Sequence, residues 1–241
     1  MNIDQLKKQA AEKAVEDIKD GMIVGLGSGS TVFYALEIIS EKLKSGELKN
    51  IIGISSSTDT EKKAVQFGIP LTIFNDNPII DLTIDGADEA DPELNLIKGG
   101  GGALLREKII AQASKKLIII IDETKLSDKL GEKWAVPIEV LQFAMNSEKL
   151  FLESLGAKIS LRKKNGETFI TDEGNIIFDA NFGVIEDVKK LTCLINQRAG
   201  IVEHGIFIGM TDKIICAKRN GEIVVIKSSF KDKNVQNEFL G

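Results

Sequence analysis

The sequence predicts an α/β fold: a mainly parallel sheet flanked by helices in a Rossmann-like arrangement, with a second, smaller α+β domain. Short apolar runs alternate with helical patterns through the first half of the chain, as in the crossover units of a parallel sheet. From about Lys129 the pattern changes to short strands separated by turn sequences. A length of 241 residues suits one large domain or two modest ones.

The first half is defined by apolar residues at helical spacing and by short apolar runs bounded by glycine or polar residues. The predicted elements are, in order, a helix Ile3–Ile18, a strand Met22–Leu26, a helix Val32–Leu43, a strand Ile51–Ile54, a helix Asp59–Phe67, strands Leu71–Phe74 and Asp81–Ile84, a helix Ala103–Ser114 and a strand Leu117–Ile121. Gly21, Gly46 and Gly68 follow the first three helices and can end them.

The second half is predicted to hold a compact α+β unit and a terminal hairpin. Its elements are a strand Val136–Val140, a helix Ser147–Leu155, strands Ala157–Arg162, Thr168–Thr171 and Ile176–Asp179, a helix Ile185–Ile195, and strands Lys213–Lys218 and Glu222–Lys227 joined by Asn220-Gly221. We therefore expect residues 1–130 together with 206–241 to form the larger domain. Residues 131–205 would form the smaller domain, which we expect at an oligomer interface and at the edge of the active site.

Composition excludes several classes of protein. The 31 basic and 36 acidic residues give a net charge of −5, which argues against sequence-independent nucleic-acid binding. Two cysteines cannot form a disulfide framework, and the single histidine, His204, excludes a site with two histidine ligands. The longest apolar run, Leu117–Ile121, is far below the ~18 residues of a membrane span. Met1–Asp4 does not resemble a signal peptide, so we expect a cytoplasmic protein without a membrane partner.

The segment Val24–Thr31 runs from a strand through glycines into a helix. Its backbone can approach a ligand closely, and the helix N-terminus offers free N–H groups to an anion. A Walker A loop would need a lysine before Ser30-Thr31, and a dinucleotide site would need an acidic residue where Ser55–Ser57 stand. Two interpretations of the segment are left: a loop that binds a phosphate or another oxygen-rich small ligand, and a tight strand–helix turn with only a structural role.

The segment Asp81–Glu89 places carboxylates at the carboxyl end of a strand, where open α/β sheets bind ligands. Asp85 and Asp88 are separated by only Gly86 and Ala87, so they could converge on one ligand and influence each other's ionisation. A solvated acidic turn and a Mg²⁺ site are the alternatives.

The segment Ile97–Lys108 contains four successive glycines before a helix, with Lys98 at their entrance. Such a run is entropically costly and offers bare backbone to a ligand. Glu107 shares a helical face with Ala103, Ile110, Ala111 and Ser114, and a partly apolar face would raise the pKa of its carboxyl group toward that of a general base. The alternative is a surface carboxylate paired with a neighbouring turn.

In this order and spacing, the segments resemble the ribose-5-phosphate isomerase family of the A type, from Leu6 to about Lys227. The motifs that match the family are Gly25–Thr31, Asp85–Asp88, Lys98–Gly101, Arg106–Lys108, Asp122–Lys125, Pro137–Val140, Thr171–Asn175 and Gly205–Phe207. The resemblance implies interconversion of ribose 5-phosphate and ribulose 5-phosphate in the non-oxidative pentose phosphate pathway, without a metal or organic cofactor. It also implies a homodimer or homotetramer.

The resemblance assigns roles to individual residues. Glu107 would move a proton between C1 and C2, Asp85 would assist opening of the furanose ring, and Asp88 would contact substrate hydroxyls. Lys98 would hold the substrate and stabilise the enediolate oxygen. The substrate-binding positions that it implies are Ser28, Gly29, Ser30, Thr31, Asp85, Gly86, Ala87, Asp88, Lys98, Gly99, Gly100, Gly101 and Lys125.

Two other functions compete with this hypothesis. A non-catalytic sugar-phosphate sensor would normally carry a DNA-binding helix before such a domain, and we expect none because the first helix starts within the first few residues. A nicotinamide-dependent dehydrogenase is disfavoured by the missing acidic residue after Ile54. His204 is expected to be structural or exposed, and Cys193 and Cys216 to be small core residues.

Overall fold

The computed structural model of the protein describes residues 3–228. The helices are α1 Ile3–Val15, α2 Ser30–Ser45, α3 Thr58–Phe67, α4 Leu104–Gln112, α5 Met145–Ser154 and α6 Val188–Asn196. The strands are β1 Ile23–Leu26, β2 Ile52–Ser55, β3 Leu82–Asp85, β4 Glu89–Ala90, β5 Leu96–Ile97, β6 Leu117–Asp122, β7 Val136–Val140, β8 Lys158–Leu161, β9 Lys163–Lys164, β10 Glu167–Thr168, β11 Ile176–Asn181, β12 Ile201–His204, β13 Ile206–Phe207, β14 Lys213–Ala217 and β15 Ile223–Lys227. Within the described range, no helix has the length and apolar character needed to cross a membrane.

The main sheet has the strand order β15-β14-β6-β3-β1-β2. Neighbouring strands from β14 to β2 are parallel, and β15 is added antiparallel at one edge. Every residue of β6 is buried, as expected for a parallel strand whose two faces are both covered by helices. The larger of the main-sheet cores includes the apolar faces of α1 and α2, so the predicted α/β fold is confirmed.

The strand order of this sheet changes direction at β1, because β2 and β3 lie on opposite sides of it. From β1 it passes through α2 to β2 on one side, and β3 then pairs with the opposite side of β1. Open α/β sheets form their ligand crevice at such a switch point, beyond the carboxyl ends of the strands. The loops that follow β1 and β3 are the Gly27–Gly29 and Gly86–Asp88 segments that the sequence had singled out.

A second sheet has the antiparallel order β12-β7-β11-β8, and we call it the small sheet. Its core contains Val136, Ile138 and Phe178 together with Leu152 of α5 and Ile195 of α6. The short strands β13-β5-β4 form a further antiparallel sheet. The small sheet lies within the segment 131–205 proposed as the smaller domain, and the exact division of the chain stays a prediction.

The structure corrects three expectations from the sequence. Leu71–Phe74 is not a strand: Leu71 makes a single bridge to Gly53, and the chain then turns, because Ile73 accepts hydrogen bonds from the N–H groups of Asp76 and Asn77. Thr168–Thr171 is also wrong as one strand: Glu167–Thr168 pairs with Lys163–Lys164 in a hairpin, whereas Ile170 makes a separate single bridge to Ile176. Cys216 is buried as expected, whereas Cys193 is exposed on α6.

Candidate active site

A cavity of about 330 Å³ lies at the carboxyl ends of β1, β3 and β6. It is bounded by the loops that follow these strands and β5, and by the first helix. The lining residues are Ile3, Lys7, Ser28, Gly29, Ser30, Thr31, Gly86, Ala87, Asp88, Lys98, Gly99, Gly100, Gly101, Glu107, Ile121, Asp122, Thr124 and Lys125.

The loop after β1 fits tightly against the end of β3. The Ser28 N–H donates to Asp85 Oδ1 at 3.0 Å, and a Cβ atom on Gly27 would lie only 2.2 Å from the same oxygen. Gly29 has a φ of 101°, a region that favours glycine, and α2 begins at the next residue. The first N–H groups of a helix lack partners within the helix and attract anions. Ser30 and Thr31 therefore bring an anion-binding helix end to the cavity wall.

Lys98 lies between two buried carboxylates. Its Nζ atom is 2.9 Å from Asp85 Oδ2 and 3.3 Å from Glu107 Oε2, and it donates to the Gly86 carbonyl at 2.6 Å. All three side chains are at most 5% exposed. Asp85 also accepts from the N–H groups of Ser28 and Gly86, which fix its carboxylate at the end of β3. Glu107 Oε2, by contrast, has no hydrogen-bond partner among the described residues.

The pKa values of both Glu107 and Lys98 are raised by their surroundings. Burial raises the pKa of Glu107 to about 7 against the opposing effect of the Lys98 ammonium, and the charges of Asp85 and Asp88 raise it further. Burial alone would lower the pKa of Lys98, but the carboxylates of Asp85 and Glu107 outweigh it and raise that pKa. The site thus pairs a carboxyl group that exchanges protons near neutrality with a permanently charged ammonium.

The glycine loop, which we define as Gly99–Gly102, contributes backbone groups to the cavity lining. The Gly100 N–H donates to Asp88 Oδ2 at 2.7 Å, and Gly99, Gly100 and Gly101 line the cavity. Gly102 does not line the cavity; it packs against the Phe169 ring, which would lie 2.4 Å from a Cβ atom at this position. The loop therefore presents peptide groups and no side chains to a ligand.

Two further lysines line the cavity, and one of them, Lys7, contacts the start of α2. Lys7, on α1, donates to Ser30 Oγ at 2.9 Å, and Lys125 Nζ lies 4.9 Å from the centre of the Trp134 ring. The sequence analysis included Lys125 and missed Lys7, Asp122 and Thr124. Lys7 carries no motif of its own and reaches the cavity only because α1 packs on α2.

The structure brings nearly all the predicted site residues together. Of the predicted set, Asp85 alone is absent from the cavity lining, because its carboxylate lies behind Lys98. Lys98 precedes the glycine run and lines the cavity, and its side chain is only 3% exposed, a burial that the sequence did not predict. The predicted desolvation of Glu107 is present, since its side chain is 5% exposed on α4.

His204 is buried and lies away from this cavity. Its Nε2 atom is 3.1 Å from Asn196 Oδ1, and its carbonyl oxygen accepts from Lys108 Nζ at 2.6 Å. Burial and the nearby Lys108 ammonium lower the pKa of His204 to about 3, so the ring is neutral at physiological pH. The structural role expected for His204 fits this position, and the alternative of an exposed histidine is wrong.

This arrangement suits proton transfer at a carbon next to a carbonyl group. A desolvated carboxylate can remove such a proton, and a nearby ammonium can stabilise the negative charge that develops on the oxygen. Among residues 3–228, no group of three or more His, Cys, Asp or Glu side chains is placed to hold a metal ion.

Comparison with known proteins agrees with this chemistry. Residues 52–221 match the family model described as ribose 5-phosphate isomerase A (phosphoriboisomerase A). The chain belongs to this family. A ribose-5-phosphate isomerase A from Desulfatibacillum aliphaticivorans is 58% identical over 219 residues, which cover 90% of this chain and 95% of the relative.

Solved structures of ribose-5-phosphate isomerases share the whole fold. The enzyme from Plasmodium falciparum superimposes with a TM-score of 0.92 at 46% identity, covering 95% of this chain and 100% of that one. A second isomerase, solved in complex with phospho-erythronic acid, has a TM-score of 0.91 at 40% identity and covers 94% of this chain and 100% of its own. The predicted resemblance to the ribose-5-phosphate isomerase A family is therefore confirmed.

Proposed function

We propose that this chain interconverts D-ribose 5-phosphate and D-ribulose 5-phosphate through an enediolate, with Glu107 moving a proton between C1 and C2. The observation that carries this proposal is the buried Glu107 carboxyl group, whose pKa is raised to about 7 and whose Oε2 atom lies 3.3 Å from Lys98 Nζ at the cavity wall. Family membership supports the choice of substrate.

The phosphate group fits the end of the cavity where α2 begins. Ser28–Thr31 offer hydroxyl and backbone N–H groups there, and Lys7 and Lys125 supply positive charge on the same lining. A phosphate is favoured at a helix N-terminus because free N–H groups and the helix dipole both attract its charge. The sugar carbons would then extend toward Asp88, Lys98 and Glu107.

Proton transfer would begin from the open-chain aldehyde. The Glu107 carboxylate removes the proton from C2, and the electron pair forms a C1–C2 double bond while the C1 oxygen becomes negatively charged. The Lys98 ammonium and the Gly101 N–H of the glycine loop stabilise this enediolate. A proton moves from the C2 hydroxyl to the C1 oxygen, and Glu107 returns its proton to C1, which gives the ketose.

Ring opening must precede this step, because ribose 5-phosphate in solution is mainly a closed furanose ring without a free aldehyde. Asp88 lines the cavity, so we assign to it the contact with substrate hydroxyls. Opening the ring breaks the bond between C1 and the ring oxygen and moves the proton of the C1 hydroxyl to that oxygen. Asp85 would assist by holding the Lys98 ammonium at 2.9 Å from Oδ2, where the ammonium can donate a hydrogen bond to the ring oxygen. No step calls for a metal or an organic cofactor.

The decisive test is to incubate the protein with ribose 5-phosphate and to measure ketose formation. Free ribose should react far more slowly, because the binding energy of the phosphate is lost. Lys125→Ala should mainly raise KM, whereas Lys129→Ala, which removes a lysine paired with Glu186 away from the cavity, should not. Absence of ketose, or equal turnover of ribose and its phosphate, would contradict the proposal.

The proposal extends to assembly as a homodimer or homotetramer, which the family resemblance implies. Light scattering during size-exclusion chromatography should then give two or four times the chain mass of 26.3 kDa. A particle with the mass of one chain at the concentrations used in the assay would contradict this part of the proposal.

A further inference from the structure

The glycine loop is held from outside the main sheet by an arginine of the small sheet. Arg162, which follows β8, donates from Nη1 to the Gly99 carbonyl at 2.6 Å and to the Gly100 carbonyl at 3.2 Å. Its side chain is 13% exposed. The contact spans more than 60 residues of sequence, so it links the small sheet directly to the wall of the active site.

Arg162 is itself fixed by a carboxylate. Its Nε donates to Asp179 Oδ2 at 3.0 Å, and its Nη2 donates to Asp179 Oδ1. Asp179 lies on β11 and pairs with Ser160 of β8, two residues before Arg162. A bidentate pair between arginine and carboxylate restricts the guanidinium in both position and plane. The strand pairing therefore sets where the Nη1 donor meets the loop.

This contact determines which way two peptide groups of the loop face. In a trans peptide, the N–H points opposite to the C=O. Because the Gly99 and Gly100 carbonyls face Arg162, the N–H groups of Gly100 and Gly101 face away from it. The Gly100 N–H indeed meets Asp88 Oδ2 at 2.7 Å, and the Gly101 N–H has no partner among the described residues.

A second residue from the part of the chain that follows β8, Phe169, contacts the other end of the glycine loop at Gly102. The Phe169 ring packs against Gly102, and the Phe169 N–H donates to the Arg162 carbonyl at 2.9 Å. Within the loop, the Gly102 N–H donates to the Gly99 carbonyl at 2.9 Å and closes a turn. A run of glycines is otherwise free to sample many conformations, so these contacts restrict it.

We propose that Arg162 is a positioning residue for the isomerase reaction: it orients the Gly100 and Gly101 peptide groups so that the glycine loop can bind the substrate. The inference rests on the proposed function for its substrate. Donors that are oriented before the reaction stabilise developing charge best, because no reorganisation is needed during the step. Arg162 does not touch the substrate site itself, since it is absent from the cavity lining.

The test compares Arg162→Ala with a matched control, Arg198→Ala. Arg198 also belongs to the small-sheet region and forms a bidentate pair with Glu148, at 2.8 and 3.1 Å, but it has no contact with the glycine loop. We expect Arg162→Ala to lower kcat/KM about 10- to 100-fold, as misplacement of a binding group does. Arg198→Ala should reduce thermal stability and leave kcat/KM within about twofold at temperatures where it is folded.

Rescue separates positioning from a general loss of structure. Millimolar guanidinium should restore several-fold activity to Arg162→Ala and none to Arg198→Ala. Arg162→Lys keeps the charge near Asp179 but loses the planar fork, so an intermediate loss is expected. It also serves as the test variant if Arg162→Ala does not fold. Wild-type-like kcat/KM in the folded Arg162 variants, or an equal loss in Arg198→Ala, would overturn the inference.

A binding measurement keeps this inference distinct from the proposed function. Titration calorimetry with phospho-erythronic acid should show about tenfold weaker binding to Arg162→Ala than to wild type, and unchanged binding to Arg198→Ala. If the wild-type protein binds the acid without isomerising ribose 5-phosphate, the proposed activity fails while the role of Arg162 is still tested. Equal affinity of all three proteins would overturn that role.

Discussion

Glu107 combines burial with access to a ligand, and this combination is what a general base for a carbon acid needs. Its side chain is 5% exposed, yet it lines the cavity, and its Oε2 atom has no hydrogen-bond partner among residues 3–228. The Lys98 ammonium, 3.3 Å from Oε2, stabilises the ionised carboxylate without forming a hydrogen bond to it, so Oε2 keeps an acceptor position for the substrate.

Glu107→Gln should abolish most of the activity without abolishing binding. The amide keeps the size of the side chain but cannot accept the C2 proton, and loss of a general base costs roughly 10²–10⁴-fold in kcat. The dissociation constant for phospho-erythronic acid should change little, since Ser28–Thr31 and Lys125 remain. The control Glu173→Gln changes an acid that pairs with Arg106 outside the cavity, and it should keep near-normal kcat. A Glu107→Gln variant with more than about a tenth of wild-type kcat would show that another group is the base.

The dependence of kcat/KM on pH should report the ionisation of Glu107. The base must be ionised, and its pKa in the free protein is about 7, so kcat/KM should fall as the pH is lowered through 7 and level off above it. Glu139 is a matched control, because burial also raises its pKa although it lies on β7 outside the cavity. Glu139→Gln should leave the inflection in place. A profile that stays flat between about pH 5.5 and 8 would contradict the assignment of the pKa.

Individual site residues could be predicted where they belong to a local motif. Gly27, Asp88 and Glu107 belong to short segments in which the neighbouring residues in the sequence are enough to predict a ligand-binding or catalytic role. Lys7 and Arg162 could not be found in this way, because each reaches the site through a contact with a residue distant in the chain. The burial of Lys98 was also missed, since it depends on the packing of Asp85 and Glu107 around its ammonium.

Among the elements, each predicted run of five or more residues corresponds to an observed helix or strand, whereas predictions of four residues succeeded at β2, β3 and β11 and failed at Leu71–Phe74 and Thr168–Thr171. Val136–Val140 was predicted with the bounds it has, and the terminal hairpin through Asn220-Gly221 was also predicted. The strands β4, β5 and β13 were not predicted, because each has only two residues and two residues are too few to show an alternating pattern. Leu71–Phe74 was predicted as a strand from its apolar residues, but only Leu71 bridges to Gly53 of the edge strand β2, and Ile73 is exposed.

The N-cap of α3 is Ser57, whose side chain accepts from the Thr60 N–H, and Asp172 contributes a second acceptor at the same helix end. Asp172 accepts from the Thr58 N–H at 2.9 Å and from Thr58 Oγ1 at 3.0 Å. Asp172→Ala should lower the free energy of unfolding by about 1 kcal/mol, as loss of a capping side chain does. Asp187→Ala removes the cap of α6, where Asp187 accepts from the Lys190 N–H, and gives a reference loss of the same size. Urea denaturation measures both, and an unchanged midpoint for Asp172→Ala would contradict this account of α3.

Considered as a whole, the protein should work without a metal ion. The proposed chemistry uses Glu107 and Lys98, and the part of the chain that the structure describes contains no cluster of three or more typical metal ligands. Prolonged treatment with EDTA followed by desalting should leave the isomerase rate unchanged, with a zinc-dependent enzyme treated in parallel as control. Loss of activity that added Mg²⁺ restores would revive the interpretation of Asp85 and Asp88 as metal ligands.

The pairing of β6 with β14 has a consequence for biosynthesis. These neighbours lie about ninety residues apart in the chain, with the small sheet between them. At usual rates of translation, β6 would leave the ribosome roughly 5 to 20 s before its partner strand. During that interval the run Leu117–Ile121 would present an unpaired edge of apolar, β-branched residues, the kind of edge that recruits other chains. Nascent chains stalled before Lys213 should therefore aggregate unless a chaperone covers β6.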